Sequence, residues 1–322
     1  MRIRLFLAAA LFWLGLAGSL RAQFKEGGSE PNDMKTGQTQ VTRWRAGMII
    51  RASGGACKGI TGYAPIPTDW PEQEVSILKE EKTGGARISY EMVDGGAKIM
   101  TVHVGHLDAG DEAQAIVTVE IRRSTILPPE KTDIYSIPDP AKLPYNIRLY
   151  LTPSPKIESG DPKIRQLAKE IGVDQEKAWE HVEAIYDWVR KKIKYQNGPL
   201  KGALAGLKDG TGDCEELSSL FIAICRAAKI PARTIWVPGH CYSEFYLVDN
   251  EGKGRWFPCQ SAGKREFGGI SEMRPILQKG DNFRPLKGTK ERQRYMAVRV
   301  IGTPTRNGGQ PQVEEIHETV AK

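Results

Sequence analysis

Seven prolines fall between residues 124 and 160: Pro128, Pro129, Pro138, Pro140, Pro144, Pro153 and Pro155. Proline fixes φ, lacks a backbone donor and restrains the residue before it, so this stretch disfavours regular helix and sheet. A chain of 322 residues interrupted in this way is expected to fold as two units, with 124–160 as a connector laid over a surface. Its composition, 40% hydrophobic and 26% charged, is that of a globular protein and excludes disordered, fibrous and disulfide-dense classes.

Arg2 and Arg4 precede an apolar run from Leu5 to Ala17, and small residues follow. These are the three parts of a secretory signal peptide, with cleavage expected after Ala22. The run is shorter than the roughly 20 residues a spanning helix needs, and no second such stretch follows it. Residues 1–22 carry three arginines and no acid, so their removal lowers the formal charge from +7 to +4 and weakens any nucleic-acid reading. The expected mature protein is secreted or periplasmic, without an integral membrane segment. Its oligomeric state is open.

Residues 23–40 are polar and small and read as a flexible linker, with order beginning near Val41. Over 41–123, five segments rich in Ile, Val and Tyr (44–52, 75–79, 86–93, 98–104 and 113–121) alternate with Gly-Gly, Asp-Gly and Asp-Ala-Gly turn signals, which predicts a β-sandwich. After the connector, Asp161-Pro162 opens a helix, and Asp174 reads as the N-cap of a second, whose stripe is Ala178, Val182, Ile185, Val189 and Ile193. Trp179, Tyr186 and Trp188 share helical spacing and read as core. A Gly-rich loop from Gly202 to Gly212 leads to Asp213, which caps a third helix with Glu216 reciprocating. Strands are expected at 232–237, 240–248 and 254–260. The second unit, 161–302, is therefore helices followed by a mostly antiparallel sheet, giving an α+β class overall, and 303–322 reads as a frayed tail.

Cys214 stands in the first turn of the third helix, where unpaired N–H groups and the helix dipole favour a thiolate. Asp213, Glu215 and Glu216 oppose that charge, so a nearby cation is needed, and an imidazolium would serve. His240 is the histidine that falls within the cysteine-bearing sheet. From pattern alone, Cys214 is equally a small buried hydrophobe and His240 a loop residue.

The blocks Gly212-Asp213-Cys214-Glu215-Glu216, Ile230-Pro231-Ala232-Arg233, His240-Cys241-Tyr242-Ser243-Glu244-Phe245-Tyr246 and Trp256-Phe257-Pro258 resemble the transglutaminase-like superfamily, a papain-like cysteine fold. The resemblance covers about 161–260. It implies a core helix presenting Cys214, with His240 and an acid on adjoining strands, forming a thioester from an amide that water or an amine resolves. Two positions depart from the family pattern. The acid two residues past the last Pro is Gln260, which can orient His240 but brings no charge, and the aromatic after the His is Tyr242 rather than Trp.

The expected catalytic residues are thus Cys214, His240 and Gln260, with the Cys214 N–H and Gln196 or Tyr195 as oxyanion donors. Asp213, Glu244, Arg233 and Trp256 are expected to support the site structurally, Arg233 by pairing with a core carboxylate. Strand alternation puts Cys241 on the face opposite His240, outside the site. Cys241 and Cys259 form either a cross-hairpin disulfide or two buried thiols, and Cys225 reads as core. A zinc site from Cys214, His240, Cys241 and Cys259 would need both strand faces and lacks a Cys-x-x-Cys pair. No metal or other cofactor is expected. The resulting expectation is a hydrolytic cysteine enzyme, protease or deamidase, acting on peptide or protein substrates. The competing reading is a non-catalytic binding or scaffold protein with a decayed site, motivated by Gln260.

Overall fold

A computed structural model describes residues 34–93, 96–284, 286 and 291–320. The signal segment, 1–22, and the linker as far as residue 33 lie outside the described residues. The first unit is a sandwich of two antiparallel sheets built from β1 (Thr36–Arg51), β2 (Cys57–Ile66), β3 (Gln73–Lys82), β4 (Arg87–Val93), β5 (Ala97–Leu107), β6 (Glu112–Ile126), β14 (Arg299–Pro304) and β15 (Gln312–Val320). The sheet orders are β15-β1-β6-β3 and β14-β2-β5-β4. Alternate residues point inward, so Trp44, Met48 and Ile50 of β1 meet Met100, Val102 and Val104 of β5 in one core.

Strand β2 is absent from the sequence reading because Gly59, Gly62 and Pro65 imitate breakers. At Gly62 the facing sheet comes close, since a Cβ there would collide with Met48 Sδ. The predicted linker is also shorter than read. Thr36 and Thr39 already pair with Ile126 and Ser124, because a ladder of backbone hydrogen bonds holds polar residues that bury little.

The predicted frayed tail instead carries the end of edge strand β14 and the whole of edge strand β15. β15 runs antiparallel to β1 from Arg43↔Val320 to Arg51↔Gln312, and Arg45 and Arg51 form ion pairs with Glu318 and Glu314. Its pattern is charged because the partner edge is basic, so hydrophobic periodicity could not reveal it. The sandwich is therefore discontinuous in sequence, completed by residues that follow the second unit. The connector contains the single-turn helix α1 (Tyr145–Arg148) and goes deeper than a surface strap, for Tyr150 is 1% exposed and packs edge-on against Trp256 at 5.6 Å.

The second unit contains α2 (Pro162–Gly172), α3 (Ala178–Lys192), α4 (Ala203–Asp209), α5 (Cys214–Ala227) and a short parallel pair, β7 (Lys194–Tyr195) with β8 (Thr211–Gly212). Asp161 caps α2, accepting from Lys163 N at 2.8 Å. Asp174 does not cap α3, whose N-cap position is Lys177 with no side-chain cap; burial of Trp179 and Val182 rather than a cap sets its start. Helix α4 lies inside the predicted Gly-rich loop, because Ala203, Leu204, Ala205 and Leu207 are good helix formers and carry it past Gly206, with Gly202 and Gly210 at its two caps.

Strands β9 (Ala232–Val237), β10 (His240–Val248), β11 (Gly254–Gln260), β12 (Glu266–Phe267) and β13 (Gln278–Lys279) form an antiparallel sheet ordered β12-β11-β10-β9-β13. Helix α5 packs on the face carrying Phe245 and Phe257, and its predicted stripe Leu217, Leu220, Phe221 and Ile224 is buried there with Trp179, Tyr186 and Cys225.

The opposite face of the sheet meets the sandwich through buried charge. Lys279 Nζ lies 2.8 Å from Glu72 and 2.7 Å from Glu244, and Arg233 pairs with Glu244 at 2.9 Å. Arg123 donates to Tyr242 Oη at 3.2 Å and lies 3.7 Å from Glu72. Burial pushes the Glu72 carboxyl up, but Lys279 and Arg123 outweigh it and hold the group below its usual range.

Candidate active site

The start of α5 is held by a reciprocal cap. Asp213 Oδ1 accepts from Glu215 N at 2.8 Å, and Glu216 Oε2 accepts from Asp213 N at 3.2 Å. Glu216 Oε1 also accepts from Lys201 N and Gly202 N at 2.8 and 3.2 Å, tying the preceding segment to the helix. Gly212 must be glycine, because a Cβ there would overlap the Glu216 side chain. The Gly-Asp-Cys sequence is thus a turn, a cap and a first-turn thiol in that order.

Cys214 is half-buried at this helix start. Beside it stand Cys241 and His240, whose thiol, backbone N–H and ring act on the charge of the Cys214 sulfur. His240 Nε2 lies 2.8 Å from Gln260 Oε1. With Gln260 accepting from Nε2–H, the other ring nitrogen, Nδ1, is left to face the thiol. The register pairs Glu244 with Pro258 and Tyr246 with Trp256, so even positions oppose even positions and Gln260 falls on the His240 side, as alternation predicts. The Gln260 carbonyl oxygen accepts from Tyr186 Oη at 2.7 Å and Arg190 Nη1 at 3.1 Å, which fixes the residue whose side chain meets the ring.

The electrostatics follow from these contacts. The Cys241 thiol, then the His240 ring and the Cys241 N–H, lower the Cys214 pKa to about 4 against the opposing effect of burial. Burial lowers the His240 pKa, but the hydrogen bonds to Cys214 and Gln260 outweigh it and the net shift is upward. The neighbouring acids are otherwise engaged. Glu215 pairs with Arg294 at 3.1 Å, Glu216 is occupied by three backbone N–H groups, and burial raises the Asp213 pKa.

One expectation is corrected here. Alternation puts Cys241 on the face opposite His240, yet its Sγ donates to Ser218 Oγ at 3.8 Å on α5, and its thiol acts on the charge of the Cys214 sulfur. Helix α5 lies on the face of β10 that carries Cys241, Ser243 and Phe245, so alternation brings Cys241 to the helix. His240 reaches the same sulfur from the other face because it is the first residue of β10, at the end of the sheet beside the helix start. Pattern alone gives the face of a strand but not where a helix ends over it.

Tyr195 and Gln196 sit beside the helix start through the β7–β8 pair. Gln196 N donates to Gly212 O at 2.8 Å, and burial, then the charges of Cys214 and Asp213, raise the pKa of the half-exposed Tyr195. Arg233, Glu244 and Trp256 form the brace behind β10, the Arg233 guanidinium lying 4.0 Å from the Trp256 ring centroid. Cys241 and Cys259 are free and buried, and Cys259 lies opposite Ser243 rather than Cys241. Among the described residues no cluster of His, Cys, Asp or Glu is arranged to hold a metal ion, and no helix is long and apolar enough to cross a membrane. Arg190, Lys279 and Arg294 carry no local signal of these contacts, since each partner is distant in sequence.

Residues 165–261 match the family model of the transglutaminase-like superfamily. Among solved structures, a provisionally named cysteine protease from Cytophaga hutchinsonii is similar over 90% of this chain and 93% of its own, with a TM-score of 0.58 and 15% identity. The periplasmic domain of TgpA from Pseudomonas aeruginosa, solved with ethylmercury, covers 70% of this chain and 90% of its own at 12% identity and a TM-score of 0.33. A provisionally named protease from Parabacteroides distasonis is similar at 13% identity and a TM-score of 0.28, over 84% of this chain and 47% of its own. No curated protein matches the chain. The transglutaminase-like resemblance is thereby borne out, with a mixed helix and antiparallel-sheet fold.

Proposed function

We propose that this chain is a cysteine enzyme that opens an amide of a peptide or protein through a thioester on Cys214, and that water resolves the thioester. The observation that carries the reading is the bond between His240 Nε2 and Gln260 Oε1 at 2.8 Å, which turns the ring so that its other nitrogen serves the thiol at the α5 N-terminus.

In this mechanism the Cys214 thiolate attacks the carbonyl carbon, and the oxyanion that forms is met by the Cys214 N–H at the start of the helix. Gln196 or Tyr195 would give a second donor. The C–N bond breaks as His240 passes its proton to the leaving amine or ammonia, and the thioester remains. Neutral His240 then takes a proton from water, hydroxide adds to the thioester, and the thiolate leaves with His240 again protonated. Gln260 holds the tautomer by accepting from Nε2–H in every step. An extracytoplasmic setting belongs to the same proposal and rests on the three-part segment at residues 1–22.

The test is a panel of glutamine-containing and backbone-amide peptides, read by mass. Release of ammonia or a shorter peptide, lost in Cys214→Ala and His240→Ala, supports the reading. Unchanged turnover in Cys214→Ala rejects it, and amine-linked products in preference to hydrolysis when a primary amine is added reject the hydrolytic assignment.

A further inference from the structure

Arg294 lies outside the matched residues 165–261, on the return segment that leaves β13 and enters β14, yet this segment brings it to the start of α5. Its Nε donates to Glu215 Oε2 at 3.1 Å, and Glu215 is the residue after Cys214. The segment is pinned on both sides of Arg294. Gln293 and Phe283 exchange two backbone hydrogen bonds, at 2.9 and 3.0 Å. Met296 N donates to Gln278 Oε1 at 2.9 Å, and Gln278 Nε2 donates back to Met296 O at 3.1 Å. The Arg294 side chain is only 7% exposed, and its guanidinium lies over the Trp236 ring, 5.1 Å from the centroid. Among the described residues its Nη1 and Nη2 have no hydrogen-bond partner, so the Glu215 carboxylate is what offsets a charge that is costly to bury.

Three acids surround Cys214, and each would oppose a thiolate. Asp213 and Glu216 are turned to the cap, where backbone N–H groups at the positive end of the helix meet their oxygens. Among the described residues Glu215 is the one of the three held by a side-chain cation. We propose that Arg294 is a positioning residue of the reactive centre, which neutralises Glu215 in the turn that carries Cys214 and so leaves the helix N-terminus free to favour the thiolate. The inference rests on the reading of Cys214 and His240 as nucleophile and base. It makes a segment outside the matched span part of the reactive centre, with Arg294 acting through Glu215 rather than on substrate.

Both charges reach the surroundings of the nucleophile. The Cys241 thiol is raised well above an ordinary thiol, first by the neighbouring Cys214 sulfur and then by burial, and on it Arg294 acts downward and Glu215 upward. The other titratable or charged groups at this turn are Asp213, Glu216, Tyr195, His240 and Arg274, the last paired with Glu272. Asp281 also feels the Arg294 charge. None of these changes in Arg294→Met or Glu215→Gln.

The experiment measures the alkylation rate of Cys214 by iodoacetamide against pH in the full chain, resolved by peptide mass because the other four cysteines would confuse a bulk assay. Wild type is compared with Arg294→Met, Glu215→Gln, the double variant and His240→Ala. Arg294→Met keeps an apolar stem against Trp236 and leaves Glu215 uncompensated. Its inflection is expected to rise by about one pH unit, which makes the thiolate fraction about tenfold smaller at any pH below the wild-type inflection. Glu215→Gln is expected to lower the inflection, since the Arg294 charge then stands without its anion. The double variant is expected to return to within about 0.3 pH unit of wild type, because the two residues act as one pair. A double variant that keeps the Arg294→Met shift points to displaced structure rather than lost charge and overturns the inference. So does an Arg294→Met profile that superimposes on wild type while His240→Ala loses the low-pH plateau, a result that leaves the nucleophile–base reading standing. Ordinary thiol titration at about pH 8.5 in wild type overturns both. If Arg294→Met does not fold, Glu215→Gln decides, and an unshifted or raised inflection there overturns the proposal.

Discussion

Gln260 meets His240 at 2.8 Å from a backbone position that Tyr186 and Arg190 clamp through its carbonyl oxygen. A neutral acceptor thus orients the ring without adding charge behind it, and the consequences for activity are separable.

Replacing Gln260 by Glu keeps the reach and adds a negative charge beside the imidazole. His240 should then hold its proton to higher pH, extending the alkaline side of the activity profile. Gln260→Ala should leave the ring unoriented and lower turnover by about a hundredfold, the scale of a misplaced catalytic group. Steady-state kinetics on a responsive peptide amide check both, and equal profiles for Gln260→Glu and wild type would sink the argument.

The pH window follows from two shifts of opposite sense. The lowered Cys214 pKa, about 4, sets an acid limb, and the raised His240 pKa sets an alkaline limb above 6.5. Because the two groups interact, these limbs belong to the pair. The same shifts act on stability. The Cys214 contribution is fully present above the unfolded thiol value and fades as pH falls through about 4. That of His240 is full below 6.5 and is lost as pH rises through its raised folded value. A kcat/KM profile with its alkaline limb below pH 6.5 would contradict the assignment.

Removing one charge from the brace behind β10 should be costly. Lys279→Met leaves Glu72 and Glu244 buried with fewer partners, and Glu72→Gln strips Lys279 and Arg123 of a carboxylate. Each is expected to lose about 3–5 kcal/mol. The double substitution should lose less than the sum. Urea denaturation of the four proteins gives the cycle, and strictly additive losses would show that the pair is not coupled.

Deleting residues 306–322 removes β15 and bares the edge of β1. The expected outcome is a lower urea midpoint together with concentration-dependent association, since an unpaired edge recruits other chains. Sedimentation of the truncated chain checks this, and a monomer of unchanged stability would show that β15 is dispensable.

Much of the site was legible because its signals are local. Asp213 and Glu216 are three residues apart and close a cap within one turn of backbone. Cys214 inherits its position from that cap, and the strand limits of β9, β10 and β11 follow from short apolar runs between turn residues. The pairing of His240 with Gln260 follows from period-2 alternation once the hairpin register is even. Strand β2 and the C-terminal strands were hidden for the opposite reason: their glycine and charge make sense only against Met48 and the arginines of β1.

By itself the sequence determined the capped helix that presents Cys214 and the strands that carry His240 and Gln260, because propensity, capping and alternation act over a few residues. Tertiary structure alone decided that Cys241 meets Ser218 on the helix of Cys214, that Glu72 and Lys279 bind the sandwich to the sheet, and that the last strands complete the first unit. Those contacts join residues far apart in the chain, and their formation depends on where a helix ends over a sheet and on which buried charges come within reach of each other.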